Sequence, residues 1–350
     1  MAPRPDDIRA AVIGFGLAGQ VFHAPLISST PGMRVASIVT SNPERRALAQ
    51  KQYPDARLLD SAEAVWKSAA EHDLAIIATS NRTHVPLALA ALDAGLAVVV
   101  DKPFAATSAD ARRVVQKARE RKKFLSVFQN RRWDSELLTL KRLLAEGALG
   151  KVLRFESHFD RWRPEPKGGW REKGGAEEAG GLLYDLGSHL IDQALHVFGP
   201  VTQVYAEVDR RREGVEADDD VFIALSHESG VRSHLAATVM AAQPRPRMVA
   251  FGTKAAYVKM QLDIQEDALR AGLRPDEPGW PEEPAENWGK LGVGKDARPV
   301  RSEPGDYRQF YVGVVAAMRD GKPPPVDPEE AVRVIEIIEA AQRSAKERAR

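Results

Sequence analysis

The chain has 350 residues, 43% hydrophobic and 28% charged, an ordinary globular composition with length for about two domains. Lys and Arg number 50 against 49 Asp and Glu, a formal net charge of +1, so nothing points to nucleic acid or an anionic membrane surface, which both reward a basic excess. There are no cysteines, which excludes disulfides, thiolate catalysis and zinc sites built on Cys. The first residues show no apolar signal segment, and no apolar run approaches the roughly 20 residues of a membrane helix. The expectation is a cytoplasmic protein.

Ile8–Ile13 reads as a buried strand running into Gly14-Phe15-Gly16-Leu17-Ala18-Gly19 and an apolar helix through Leu26 and Ile27. Arg34–Val39 is a second strand. Asn42-Pro43-Glu44 supplies an N-cap, a proline at the first helical position and an early acid. Ser61 caps a short helix. Leu74–Ala78 is a strand, Thr83–Ala94 a helix stopped by Gly95, and Leu96–Val100 a strand. Thr107–Asp110 opens a helix to about Arg121, and Phe124–Phe128 is the next strand. These strands are continuous Val/Ile/Leu/Ala runs between helices, the pattern of a parallel sheet covered on both faces. An α/β Rossmann domain is expected over residues 1–128.

The rhythm changes after that. Trp133–Glu146 reads as a helix. Lys151–Phe159, Val201–Asp209, Val221–Ser226, Val231–Val239, Arg247–Gly252 and Ala255–Met260 read as strands, interrupted by one helix, Gly181–Val197. An α+β domain over 129–350 follows, with an antiparallel sheet open on one face. That face suggests a homodimer or homotetramer. Gln261–Asp306 reads as a long loop rich in Pro, Gly and acids, with Trp280 and Trp288 as docking residues. The last helix, Pro328–Ala349, carries an apolar stripe at Val332, Ile335, Ile338 and Ala341 that could pack back on the first domain.

Gly14-x-Gly16-x-x-Gly19, set between a strand and a helix, is a dinucleotide fingerprint. Its glycines allow the tight turn, the approach of backbone to a pyrophosphate, and close helix–strand packing. Such sites usually place an acid about 20 residues on, for the ribose 2′-hydroxyl. Here the second strand ends in Thr40-Ser41-Asn42; the first acid is Glu44, and Arg45-Arg46 follow. A carboxylate repels a 2′-phosphate, whereas hydroxyls and a guanidinium bind one. NADP is therefore the expected cofactor, with NAD the alternative, and Thr40, Ser41 and Arg45 are the candidates at the phosphate.

Lys102, in Asp101-Lys102-Pro103-Phe104, follows a strand whose carboxyl end faces the ligand crevice of an α/β sheet. A lysine there suits proton handling or alkoxide stabilisation; the plain alternative is a surface lysine at a strand end. In the helix Gly181–Val197, Asp185, His189, Asp192 and His196 follow one another at spacings of four, three and four. A carboxylate can orient a histidine or hold a hydroxyl, and a histidine can take a hydroxyl proton. The alternative is a core helix packed through Leu182, Leu186, Leu190 and Leu195. The spacing is poor for zinc, and no metal is expected.

Together with Asp185-Leu-Gly-Ser-His189-Leu-Ile-Asp192, these motifs resemble the Gfo/Idh/MocA oxidoreductases over essentially the whole chain. That family usually has Glu where this chain has Asp101; the lysine and proline are kept. Ser126–Asp134, Arg161–Pro164, Trp170–Lys173, Gln265–Gly272 and Ile337–Ala341 are similar to the NADP-dependent scyllo-inositol dehydrogenases within it. The resemblance implies hydride transfer between a cyclitol or sugar hydroxyl and a nicotinamide. It implies a catalytic group of Lys102, Asp185 and His189: His189 as general base, Lys102 hydrogen-bonded to the same oxygen, Asp185 holding a substrate hydroxyl. It places Gly14, Phe15, Gly16, Gly19, Lys102 and the segment of Thr79, Asn81 and His84 at the cofactor. Asn130, Arg131, Arg161, Trp170 and Tyr307 are the candidates for the substrate wall. The Lys102–Pro103 peptide is expected to be cis. The alternatives are a dehydrogenase of another polyol or aldose, and a nicotinamide-binding regulator without turnover, which would need none of the three catalytic side chains.

Overall fold

The computed structural model describes residues 6–166 and 179–348. By contacts the chain divides into two units: residues 1–130, 265–281 and 306–332, and residues 131–264, 282–305 and 333–350.

In the first unit β1 (Ile8–Ile13) leads through a π-helical turn (Ala18–His23) into α1 (Ala24–Ser28). Then come β2 (Met33–Val39), α2 (Pro43–Gln52), β3 (Arg57–Leu59), α3 (Ala62–Lys67), β4 (Leu74–Ile77), α4 (Asn81–Asp93), β5 (Ala97–Asp101), α5 (Ser108–Arg121) and β6 (Leu125–Phe128). All six strands are parallel, in the order β3-β2-β1-β4-β5-β6. Right-handed crossovers in that order put helices on both faces and reverse the strand order between β1 and β4. The carboxyl ends of those two strands, at Ile13 and Ile77, therefore flank the ligand crevice. Residues Ala10–Val12 and Leu74–Ile77 are wholly buried, as two-sided cover requires. The expected strands all form, and sequence reading overlooked only the three-residue β3. The Asn42 side chain accepts from the Arg45 amide at 2.9 Å, and Thr107 from that of Asp110 at 3.1 Å; Ser61 occupies the N-cap of α3, but its side chain makes no capping bond.

In the second unit α6 (Ser135–Ala145) and β7 (Val152–Asp160) precede a second π-helical turn (Leu183–Gly187), which runs directly into α7 (Ser188–Phe198). β8 (Val201–Asp209), β9 (Asp220–His227), β10 (Arg232–Thr238), β11 (Met248–Gly252) and β12 (Ala256–Lys259) follow. The helix expected over Gly181–Val197 is thus two pieces of different winding, and Trp133 lies in a 3-10 turn (Asn130–Trp133) ahead of α6.

The expected loop Gln261–Asp306 is corrected. It contains α8 (Gln265–Arg270), β13 (Lys290–Gly292) and β14 (Arg298–Pro299), and the two strands extend the sheet from β12. Elements this short carry no readable periodicity. α9 (Arg308–Asp320), also unread, and α10 (Pro328–Arg348) complete the chain. The stripe Val332, Ile335, Ile338 and Ala341 is at most 1% exposed.

The sheet order is β14-β13-β12-β11-β7-β10-β9-β8. Its pairs are antiparallel except β7–β10, which is parallel. Strand β9 alternates strictly, with Val221, Ile223, Leu225 and His227 inward. Tyr205, Phe222 and His234 line up edge to face on the other side. One face is core and the other is open, the pattern the sequence predicts. Among the described residues no helix is long and apolar enough to cross a membrane.

Candidate active site

The glycine loop sits at the reversal point of the parallel sheet. Gly14 has φ +97°, and a Cβ there would lie 2.5 Å from the Ala78 carbonyl oxygen. A Cβ on Gly19 would lie 2.0 Å from the Gly14 oxygen. Neither position admits a side chain: the first because the loop end of β1 abuts that of β4, the second because the helix packs on its own loop. Gly16 differs. A Cβ there would meet only the Arg45 guanidinium, at 3.7 Å. The loop thus opens at Gly16 onto a cation. Asn42 caps α2 and so sets Arg45 in its first turn, at that opening. Arg45 and Ser41 are exposed, and Thr40 is buried at the end of β2. Arg46 is committed elsewhere, 2.6 Å from Asp60. Among the described residues Arg45 has no ion pair. These features fit a dinucleotide: backbone that can approach a pyrophosphate, and beside it a cation where a 2′-carboxylate partner is missing. Phe15 is 1% exposed, its ring edge-on to Tyr53 at 6.1 Å, so only its backbone faces the loop.

Lys102 is half-buried just past β5, and its peptide bond to Pro103 is cis. His84 is wholly buried behind it, Nδ1 at 2.8 Å from the Pro103 oxygen and Nε2 at 3.3 Å from the Thr79 oxygen. It ties the turn after β4 to the turn after β5, and burial holds its pKa down. Thr79 is half-buried and bonds Thr83 at 2.6 Å, and Asn81 opens α4. Burial alone would push the Asp101 carboxyl up, but His23, Lys102 and His84 hold it below the ordinary carboxylate range. Tyr307 is wholly buried, ahead of α9, with its amide on Gln265 at 2.8 Å. Asn130 is 6% exposed. In this unit the structure brings together the glycine loop with Arg45, and the Thr79 and Lys102 turns through His84.

In the second unit, Asp185 lies in the π-helical turn and His189 in the first turn of α7. A π-helical segment inside a helix frequently marks a functional site. Asp185 is half-buried and His189 4% exposed. Asp192, read as a candidate orienting carboxylate, instead holds Arg132 bidentately at 2.9 and 2.6 Å, with both side chains at most 5% exposed. Arg131 is buried too, 3.4 Å from Asp134 and stacked on Phe159. Arg161 is half-buried at the end of β7, and Trp170 lies outside the described residues.

Sequence reading passed over Asp218. It sits where the helix carrying Asp185 and His189 begins, and accepts the Leu183 amide at 2.7 Å. Gly181 makes room for it, since a Cβ there would fall 2.1 Å from the carboxylate. Burial pushes the Asp218 carboxyl up to about 6, against these backbone donors. A carboxyl whose folded pKa is raised binds protons more tightly folded than unfolded. Its contribution to stability is therefore complete below about pH 4 and is lost as pH rises through about 6. Asp218→Asn should flatten that interval in chemical denaturation curves taken between pH 3.5 and 7. An unchanged slope would sink this account.

With this geometry in place, the comparisons define the class. The chain belongs to the Gfo/Idh/MocA oxidoreductases: the family's NAD-binding Rossmann fold matches residues 8–129 and its C-terminal alpha/beta domain residues 141–350. It is accordingly an oxidoreductase with an NAD-binding Rossmann domain. It is 39% identical to the uncharacterized oxidoreductase YdgJ of Escherichia coli, across 98% of both chains. It is 36% identical to the scyllo-inositol 2-dehydrogenase (NADP(+)) IolW of Bacillus subtilis, across 98% of this chain and 95% of that one. The solved structure of yvaA from Bacillus subtilis matches with a TM-score of 0.91 at 35% identity, covering 99% of this chain and 98% of that one.

Proposed function

We propose that this protein is an NADP-dependent cyclitol dehydrogenase that oxidises a ring hydroxyl of scyllo-inositol, or reduces the corresponding inosose. The observation that carries the cofactor half is the unpaired Arg45 guanidinium at the open side of Gly16, with no acid at the end of β2. The substrate half rests on the likeness to IolW across nearly the full chain. Gly14, Gly16 and Gly19 would hold the pyrophosphate, and Thr40, Ser41 and Arg45 the 2′-phosphate. When bound, the nicotinamide supplies the hydride acceptor. His189 takes the hydroxyl proton, Lys102 donates a hydrogen bond to the same oxygen as it gains alkoxide character, and Asp185 fixes a neighbouring hydroxyl. The open face of the eight-stranded sheet, with Tyr205 and Phe251 exposed on it, is the proposed contact between copies in a homodimer or homotetramer. Light scattering reads that directly.

The test is a panel of inositols, other polyols and aldoses with each nicotinamide. We expect kcat/KM with NADP to exceed that with NAD, and scyllo-inositol to lead the panel. Arg45→Ala should cut kcat/KM for NADP by about 10- to 100-fold, the scale of a charge-assisted bond to phosphate, and leave NAD within about twofold. A parent enzyme that prefers NAD refutes the cofactor assignment. Turnover of an aldose alone refutes the substrate.

A further inference from the structure

A buried polar chain runs away from Lys102 into the core of the first unit. His23, in the π-helical turn, and Tyr311, in α9, are both 0% exposed. The Tyr311 hydroxyl is 2.6 Å from His23 Nδ1, and His23 Nε2 is 3.5 Å from Asp101 Oδ1. The His23 ring lies 4.5 Å from that of Phe128, which fixes its plane. Burying a phenol, an imidazole and a carboxylate costs stability; here the phenol and imidazole are hydrogen-bonded, while Nε2 makes no hydrogen bond and meets Asp101 as a charge contact at 3.5 Å. Apolar residues would fill this core more simply.

The chemistry decides the direction of the chain. Burial, then the Asp101 charge, keeps the Tyr311 phenol protonated. A neutral phenol can donate or accept, so the direction is set by the histidine: with the ring proton on Nε2, facing Asp101, Nδ1 accepts from Tyr311. The opposite tautomer would set a nitrogen lone pair against a buried carboxylate. The chain ends at a phenol with no access to water, so it cannot deliver protons to or from solvent. Its open end is Asp101, next to Lys102 and electrostatically coupled to it.

We propose that His23 and Tyr311 are positioning residues for the hydride-transfer site: Tyr311 fixes the His23 tautomer, His23 aims Nε2–H at the Asp101 carboxylate, and Asp101 orients the Lys102 ammonium. This rests on the reading of Lys102 as the group that bonds the reacting oxygen. The titratable groups facing Asp101 are His23 from the π-helical turn, His84 from α4, Tyr311 from α9 and Lys102 in the chain itself.

The test uses His23→Leu, His23→Gln and Tyr311→Phe in the full chain, with Lys102→Met as reference. Tyr311→Phe should lower kcat by about 3- to 10-fold, the scale of a neutral hydrogen bond, and His23→Leu by at least as much. KM for NADP should stay within about twofold. His23→Gln keeps a donor near Nε2 and should recover most of the loss. With His23 gone, only Lys102 and His84 oppose the effect of burial on Asp101, so the acidic limb of the kcat profile should move to higher pH in His23→Leu. The Asp101 carboxyl signal in 13C NMR, assigned with Asp101→Asn, should titrate at higher pH as well, and this readout needs no turnover. Should His23→Leu fail to fold, the near-isosteric Tyr311→Phe and His23→Gln carry the test. Unmoved Asp101 titration and pH profile, with Lys102→Met inactive, overturn the proposal and leave the Lys102 reading intact. Parental turnover in Lys102→Met overturns both, whatever the NMR shows.

Discussion

Lys102→Met and His189→Ala are each expected to lower kcat by about 100- to 10,000-fold while NADPH still binds within a few fold of the parent. That range is what a single donor at developing charge, or a single positioned base, contributes to a barrier; 1,000-fold corresponds to about 4 kcal/mol. Methionine keeps the length and apolar stem of lysine and removes only the ammonium. The loss therefore reports on charge at the reacting oxygen, not on packing. His189 is almost wholly buried on α7, so alanine leaves a void, and turnover must be compared on protein shown to melt as the parent does. On the proposed mechanism the two losses should not add, since both groups would act on one oxygen. Asp185→Asn should behave differently, raising the substrate KM more than it lowers kcat, since a group that holds a neighbouring hydroxyl contributes chiefly to uniform binding. NADPH binding followed by fluorescence, beside turnover with scyllo-inositol, separates the cases. Near-parental turnover in either Lys102→Met or His189→Ala removes that residue from the mechanism.

What could be read from sequence was what is encoded locally. The strand Ile8–Ile13, the three glycines and the Asn42 cap each sit in a window of a few residues whose pattern has one physical solution. The family resemblance added roles for Asp185 and His189, whose spacing alone left a core helix as the alternative. What escaped depends on partners far apart in the chain. Tyr311 meets His23 across 288 positions, and the one local hint is a histidine inside the apolar run Val21-Phe22-His23-Ala24-Pro25. Asp218 is 35 residues from the amide it accepts. β13 and β14 have three and two residues, too few for alternation to show, so a Pro- and Gly-rich segment that adds strands reads as a loop. The π-helical winding of Leu183–Gly187 is likewise invisible, because a five-residue turn has no periodicity of its own to betray it.

Asp192→Ala should destabilise the second unit by about 3–5 kcal/mol, because it removes the bidentate carboxylate from a buried guanidinium. The pair is bidentate and at most 5% exposed, so little water can compensate. For a unit of this size the midpoint of thermal unfolding should fall by roughly 6–20 °C. The neighbours sharpen the expectation. Gln193, next on α7, donates to the Arg131 carbonyl at 2.8 Å and accepts from Arg247 at 3.0 Å. Arg247 in turn lies 3.1 Å from Glu136, whose carboxyl burial pushes up. Removing both partners tests whether the cost lies in the stranded charge or in lost anchoring of the helix. Arg132→Met with Asp192→Leu should restore most of the stability, since a buried pair is worth little more than well-packed apolar residues. If the double variant also regains turnover, the pair serves only to make burial tolerable. If it regains stability but not turnover, the pair is what sets the pitch of α7 and the aim of His189, three residues before Asp192. A single Asp192→Ala variant as stable as the parent would refute the premise that Arg132 depends on this carboxylate.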